Sequence, residues 1–151
     1  MKDNIVYLAL GSNIEPKKNV KSALKELAKL GEIISISKFI KTKPEGYLNQ
    51  ADFLNGAVKF QTTLSPENLL KELKNIEKVL KRNTPFRNGP RTIDIDIIFY
   101  GNLILDTANL IIPHPRCDKR FFVLKPLSEI APCKVHPILK KQVRTLLKEL
   151  K

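Results

Sequence analysis

An alternation of isoleucine and aspartate from Ile93 to Ile97 constrains the fold and chemistry of this chain more than any other feature. Successive side chains of a β-strand point to opposite faces of the sheet. A strand here therefore places Asp94 and Asp96 together on one face. Two neighbouring carboxylates repel each other unless a cation or arginines neutralise them. The pattern predicts a strand whose polar face binds a hard cation such as Mg²⁺, with a solvent-exposed acidic strand as the alternative.

Hydrophobic periodicity predicts the element order β-α-β-β-α-β up to residue 100. The predicted strands cover residues 5–10, 33–39, 53–61 and 93–100. The predicted helices cover residues 16–30, 65–80 and 118–128, with a short helix from Val143. We expect Gly31 to cap the first helix, Asp118 to begin the third, and Gly101-Asn102 to turn the chain into a hairpin strand over 103–106. This order is typical of an α+β, ferredoxin-like antiparallel sheet with helices packed on it.

The length and composition favour one domain, spanning residues 1–151, with its own core. The longest apolar run, Ile5–Leu10, is far shorter than the about 20 residues that a membrane-spanning helix needs. The N-terminus has no signal-peptide core, and the chain has only two cysteines. We therefore expect a cytoplasmic protein without a disulfide framework, and a monomer.

The basic residues are unevenly distributed. The net charge is +12, and five of the six arginines lie between residues 82 and 120, where only one lysine is found. Because the arginine guanidinium matches phosphate oxygens better than an ammonium does, this stretch predicts a phosphate-bearing partner. A solvated basic face is the alternative. The chain has neither a Walker A loop nor a Gly-x-Gly-x-x-Gly motif, so side chains and metal would have to bind the phosphates.

Two further patterns suggest ligands. Phe53 could stack on a planar ring, and Asn55 offers a donor and an acceptor to a heterocycle, although Phe53 could equally be a core residue. His114-x2-Cys117 and Cys133-x2-His136 have the spacing of zinc-ligand pairs. With the basic charge, this spacing leaves open a second hypothesis, an RNA-binding module on a ferredoxin-like sheet, with or without zinc.

Several motifs together resemble the 6-hydroxymethyl-7,8-dihydropterin pyrophosphokinase family of folate biosynthesis. The matching segments are Leu10-Gly11-Ser12-Asn13, Thr42-x-Pro44-x-Gly46, Phe53-Leu54-Asn55, Gly89-Pro90-Arg91-Thr92-Ile93-Asp94-Ile95-Asp96-Ile97 and Pro113-His114-Pro115-Arg116. The resemblance implies transfer of pyrophosphate from ATP to the hydroxymethyl oxygen of the pterin, with release of AMP. It implies these two substrates as the partners, and neither nucleic acid nor membrane.

The resemblance also implies roles for individual residues. Asp94 and Asp96 would hold two Mg²⁺ ions, and the residues implied in catalysis are Asp94, Asp96, Arg82 and Arg91. Those implied in ATP binding are Glu77, Arg82, Arg87, Arg91, Ile97, His114, Arg116 and Arg120. Those implied in pterin binding are Thr42, Pro44, Glu45, Phe53, Asn55, Asp94 and Phe122. Phe53 and Phe122 would sandwich the ring, while Asn55 and the backbones of Thr42 and Glu45 would bind its edge.

The chain departs from many relatives at a few positions. Phe53 stands where many have tyrosine, and Asn88 where many have tryptophan. Asn109 and Ile111 stand where some have arginine and threonine, which affects ATP contacts rather than the reaction. We expect the segments 42–50 and 81–90 to close over the substrates.

Overall fold

The computed structural model describes residues 3–80, 90 and 92–150. The strands are β1 (Asn4–Ser12), β2 (Glu32–Ile36), β3 (Ile40–Thr42), β4 (Phe53–Thr62), β5 (Asp94–Tyr100), β6 (Leu105–Asp106) and β7 (Ile111–Ile112). The helices are α1 (Pro16–Leu27), α2 (Pro66–Val79), α3 (Phe121–Ile130) and α4 (Val143–Glu149), with a 3₁₀ turn at Cys117–Lys119. Within these residues, none of the helices combines the length and the apolar character needed to cross a membrane.

The main sheet confirms the predicted ferredoxin-like architecture. Its strand order is β2-β4-β1-β5, every pair is antiparallel, and β3 also pairs with β4. The two central strands, β1 and β4, pair along their whole length, from Asn4 opposite Thr62 to Ser12 opposite Leu54. This register, together with that of β1 and β5, fixes which side chains of β4, β1 and β5 lie next to each other.

Helices cover both faces of the sheet. On one face, α1 and α2 pack through Val20, Ala23, Leu27, Leu69, Leu73 and Ile76 against strand residues that include Leu8, Val58 and Phe60. On the other face, α3 and α4 pack through Val123, Leu124, Leu127, Val143 and Leu146 against Tyr7, Ala57 and Phe99. Burying each such leucine or valine contributes roughly 1.5–3 kcal/mol. The second face is covered only in part by helices, and its uncovered end holds the candidate site.

The first helix ends earlier than its apolar stripe predicts. Its C-terminal cap is Ala28, and Gly31 lies beyond the helix rather than at the cap. The glycine is required for packing, because a Cβ at Gly31 would lie 2.3 Å from the backbone oxygen of Gln61. The cap prediction is therefore wrong: the glycine lets the chain pass close to β4.

The predicted strand over 33–39 is interrupted and continues as a separate strand. The backbone N–H and hydroxyl of Ser37 both bond to the backbone of Ala57, and the strand resumes only at Ile40. The ring of Phe39 packs over Gly56, where a Cβ would lie 2.5 Å from the ring. The break moves β3 along β4 toward Phe53, which brings Thr42 opposite Phe53.

Two predictions beyond residue 100 need correction. The strand predicted to form a hairpin with β5 does not pair with it. Leu105–Asp106 pairs instead with Ile111–Ile112, which follows it in the chain, in a separate two-stranded sheet. Asp118 does not begin the third helix, because it lies in the 3₁₀ turn and the residue preceding the helix is Arg120. Arg120 is extended, with φ −117° and ψ 109°.

His136 organises the turn that precedes α4. Its imidazole is 4% exposed, and Nδ1 accepts hydrogen bonds from the backbone N–H groups of Ile138 (3.2 Å) and Leu139 (3.0 Å). The ring also packs edge-on against Phe99, with the centroids 5.6 Å apart. Nδ1 can accept these bonds only when it carries no proton. The turn therefore depends on a neutral His136.

The stability of the fold should fall as the pH drops below about 6.5, the unperturbed histidine pKa. Burial lowers the pKa of His136, against an opposing effect of Asp118. A lowered pKa means that the unfolded chain takes up the proton first, so the stabilisation is present above pH about 6.5 and is lost as the pH falls toward the folded-state pKa. We expect the free energy of unfolding in denaturant to drop between pH 7.5 and 5.5 by about 1 kcal/mol more than in His136→Asn, because over this range the unfolded chain takes up a proton on His136 before the folded protein does. An equal drop in both proteins would contradict this role, because the other titrating groups are common to them.

Candidate active site

The candidate site is formed by two sets of paired residues that lie side by side on β4, β1 and β5. Gly11 of β1 pairs with Asn55 of β4 on one side and with Asp94 of β5 on the other. Two residues away, Ala9 pairs with Ala57 and with Asp96. Paired residues of antiparallel strands point to the same face, as do residues two apart. The small residues of β1 therefore leave a hollow between Asn55 and the two aspartates.

A cavity occupies this hollow, and its walls come from five parts of the chain. The predicted site residues that line it are Thr42, Glu45, Phe53, Asn55, Asp94, Asp96, Arg120 and Phe122. The sequence did not point to the remaining lining residues Ala9, Leu10, Lys43 and Val123 or to a role of Gly11 here. The structure thus brings together the predicted aspartates, two aromatic side chains, an arginine and an amide.

Asn55 lies in the cavity wall, where Thr42 and Gly11 position its side chain. The side chain is 7% exposed, and Nδ2 donates to Oγ1 of Thr42 at 2.6 Å. A Cβ at Gly11 would lie 2.6 Å from Oδ1 of Asn55. Glycine at position 11 therefore makes room for the amide, and the bond to Thr42 fixes its orientation.

Glu77 supports β5 from the opposite face of the sheet. Its side chain is 3% exposed, and Oε2 accepts the backbone N–H of Ile95, the residue between the two aspartates, at 2.8 Å. Its Oε1 lies 3.5 Å from Nζ of Lys74. In the described part of the chain, Glu77 lines neither of the cavities that contain Asp96. Its contacts fit a positioning role for the strand that carries the aspartates.

A second cavity lies on the other side of Asp96. Its predicted residues are Ile97 and His114, and Lys74, Leu70, Leu110 and Pro115 also line it. Asn109 and Ile111, two of the positions at which the chain departs from relatives, are in the same wall. Lys74 was missed in the sequence, where it is one of many lysines on a polar helix face. Asp96 lines both cavities, so it lies where two ligands could meet.

His114 faces this second cavity as a neutral hydrogen-bond donor. Burial lowers its pKa; nearby Asp96 opposes this shift, and the charges of Arg120 and Arg116 add to it. Its Nδ1 accepts the backbone N–H of Arg116 at 3.1 Å. The proton of the neutral ring is therefore on Nε2, which can donate to an anionic oxygen.

Other predicted residues lie elsewhere or outside the described part. Arg116 is exposed, and Pro44 is buried between two lining residues; neither lines the two cavities. Arg82, Arg87 and Arg91, together with Asn88 and the segment 81–89, lie outside the described residues.

The donor set fits magnesium better than zinc. Mg²⁺ is commonly held by one or two carboxylates and takes its other ligands from water and phosphates, which suits Asp94 and Asp96. Among residues 3–80, 90 and 92–150, no three His, Cys, Asp or Glu side chains come together to form a metal site. Cys117 is fully buried, and burial raises its thiol pKa to about 12, whereas zinc binds the thiolate. The described residues do not support the zinc hypothesis.

The fold and the two cavities fit an enzyme that transfers a phosphate-containing group between a nucleotide and a planar heterocycle. The model of the family 7,8-dihydro-6-hydroxymethylpterin-pyrophosphokinase (HPPK) matches residues 7–132. The chain belongs to this family. Its members are transferases that act with ATP in folate biosynthesis, so the predicted enzyme class and function are confirmed at the level of the family.

Individual relatives agree with this membership. The chain is 42% identical over 140 residues to the 2-amino-4-hydroxy-6-hydroxymethyldihydropteridine pyrophosphokinase of Aquifex aeolicus, covering 92% of this chain and 88% of that protein. It is 49% identical over 138 residues to the folic acid synthesis protein FOL1 of Dictyostelium discoideum, covering 91% of this chain but only 21% of that protein. These relatives support the pyrophosphokinase hypothesis rather than the RNA-binding one.

A solved structure shows the same fold. The Plasmodium falciparum HPPK-DHPS with pteroate superposes with a TM-score of 0.80 at 19% identity, covering 98% of this chain and 42% of that chain. At this identity, the likeness concerns the fold alone.

Proposed function

We propose that this chain transfers pyrophosphate from ATP to the hydroxymethyl group of 6-hydroxymethyl-7,8-dihydropterin and releases AMP. The observation that carries the proposal is the position of Asp96 in the walls of two adjacent cavities, one with aromatic and amide side chains and one with His114 and Lys74. A pterin in the first cavity and ATP in the second would meet at Asp96. We further propose one domain over residues 1–151; the monomeric state and the cytoplasmic location stay predictions.

The first cavity suits a pterin. Phe53 and Phe122 would stack on the two faces of the ring, as aromatic pairs in offset geometry do. Oδ1 of Asn55 would accept a hydrogen bond from an N–H group at the ring edge, and the backbones of Thr42 and Glu45 would bind the same edge. Pro44, buried in the same segment, would fix the path of the backbone at this edge.

The second cavity suits the nucleotide. Nε2 of His114 would donate to a phosphate oxygen, and the apolar side chain of Ile97 would contact the adenosine. Arg82, Arg87, Arg91, Arg116 and Arg120 would bind phosphate oxygens, a role that rests for all of them except Arg120 on the family resemblance alone. Glu77 would contribute by holding β5 in place.

The aspartates would hold the metal. Asp94 and Asp96 would bind two Mg²⁺ ions, which, when bound, neutralise charge on the phosphate oxygens. The hydroxymethyl oxygen would form a bond to the β-phosphorus as the bond from that phosphorus to the bridging oxygen of the α-phosphate breaks. AMP would leave with that oxygen, and the hydroxyl proton would pass to solvent water. Asp96, Arg82 and Arg91 would act by position and charge, without a covalent intermediate.

An assay that separates AMP from ADP tests this function. We expect AMP to form only when protein, ATP, the pterin and Mg²⁺ are all present, and to stop when EDTA is added. ADP as the product would contradict pyrophosphate transfer. Absence of both products, together with RNA binding in EDTA that weakens steeply with salt, would favour the RNA-binding hypothesis.

A further inference from the structure

An ion pair ties the loop at residues 43–52 to the start of α3. The guanidinium of Arg120 donates to Oε1 of Glu45 at 2.8 Å. The same guanidinium lies over the ring of Phe122, with its carbon 5.4 Å from the ring centroid. The Arg120 side chain is 17% exposed, so the contact is partly shielded from water, whereas that of Glu45 is 52% exposed. Ion pair and aromatic ring together fix the position of the arginine.

The ion pair lies in the wall of the candidate pterin cavity. Glu45 and Arg120 both line it, beside the two aspartates. The far end of the loop is held separately, because Nδ2 of Asn13 donates to Oε1 of Gln50 (2.7 Å) and to the backbone oxygen of Ala51 (2.9 Å). Glu45 therefore anchors the part of the loop that approaches α3.

Arg120 also lies beside the residue that the two cavities share. It lines the first cavity together with Asp96, and Asp96 also lines the second cavity. A guanidinium binds carboxylates and phosphates in the same bidentate manner. A phosphate group bound beside Asp96 would therefore attract the arginine that Glu45 holds.

We infer that the Glu45 carboxylate and the nucleotide phosphates compete for Arg120, which makes Glu45 a positioning residue that couples the two substrate sites. With Arg120 on Glu45, the loop is held against α3 beside the pterin cavity. With Arg120 on a phosphate, this tie is released. The inference rests on the proposed function, to which it adds a role for the Glu45 side chain that is distinct from the role of its backbone.

Two affinities in Glu45→Gln test the inference. The probes are 6-hydroxymethylpterin alone, and α,β-methylene-ATP with Mg²⁺, whose α–β bridge cannot be cleaved in the transfer. We expect the pterin Kd to rise and the nucleotide Kd to fall, each by about threefold to tenfold, as expected for loss of a partly exposed ion pair. Changes in the same direction, or no change in either Kd, would overturn the inference.

The matched control is Glu149→Gln. Glu149 forms an ion pair of the same length with Lys141, 2.8 Å, and its side chain is 51% exposed, but it lies in α4 outside both candidate cavities. We expect both Kd values to remain those of the wild-type protein. If this variant reproduced the effect of Glu45→Gln, general charge rather than Arg120 would be responsible.

A double-mutant cycle separates competition from simple charge repulsion. In an Arg120→Ala background, Glu45→Gln should leave the nucleotide Kd unchanged, because the residue for which Glu45 competes is gone. Tighter nucleotide binding in that background would mean that Glu45 acts through space, and the inference would be wrong. If the wild-type protein bound neither probe, the proposed function would fail; if it bound both while Glu45→Gln had no effect, only this inference would fail.

Discussion

Asp96→Ala should lower kcat for AMP formation by about a thousandfold or more, equivalent to about 4 kcal/mol of transition-state stabilisation. Asp96 lies in the wall of both cavities, and Asp94 lies two residues away on the same strand face. Without either carboxylate, the protein would lose a ligand of the Mg²⁺ that neutralises the negative charge on the phosphate oxygens. We therefore expect Asp94→Ala to have an effect of similar size, measured at saturating ATP and pterin.

Two further variants make this test specific. Asp96→Asn keeps the shape of the side chain and should be nearly as inactive as Asp96→Ala, because the charge rather than the size is required. Asp106→Asn removes an exposed carboxylate of β6 that lines neither candidate cavity, and should retain wild-type kcat. Near-normal turnover in Asp96→Asn would contradict the metal-binding role.

Asn55→Leu should weaken pterin binding by about a hundredfold, or about 2.7 kcal/mol, while changing the Kd of α,β-methylene-ATP less than twofold. Leucine has the same branching at Cγ as asparagine but cannot hydrogen-bond the ring edge, and the Thr42 hydroxyl loses its partner as well. The hydrogen-bonding groups at the pterin edge would face an apolar side chain and have no partner there, which raises the free energy of the bound state in a buried site. Pterin binding is measured by titration of the protein without nucleotide.

The orientation of Asn55 has its own control. Thr42→Val removes the oxygen that holds Nδ2 without adding bulk, so we expect an intermediate loss of pterin affinity. Asn68→Leu alters an exposed asparagine at the start of α2 and should leave pterin binding unchanged. Equal pterin affinity in Asn55→Leu and the wild-type protein would contradict the role of Asn55.

Much of the site could be predicted because it lies on the strand with the clearest pattern. The alternation through Asp94 and Asp96 predicts a shared face from strand geometry alone, and the structure has both aspartates in one cavity wall. The roles expected for Phe53, Asn55 and Phe122 in pterin binding follow mainly from the family resemblance. Their convergence depends on the register of β1 with β4 and β5, which no local pattern specifies.

The features that were missed depend on contacts between distant residues. Gly31 looked like a helix cap, but its role is to let the chain approach Gln61, thirty residues away. Asp118 has the chemistry of a helix cap, yet the chain at Arg120 is extended and the helix begins one residue later. The ion pair of Arg120 with Glu45 joins segments 75 residues apart. None of these contacts leaves a signal in the neighbouring sequence.

The fate of the phosphates of ATP tests the central claim most directly. The protein is incubated with Mg²⁺, the pterin and ATP that carries radiolabelled phosphorus in either the α or the γ position, and the products are separated. We predict that the α label appears in AMP and the γ label in the pterin product, in equal amounts. The α label in ADP with the γ label in the pterin would show transfer of a single phosphoryl group, and release of AMP without labelled pterin would show hydrolysis; either result would contradict the account.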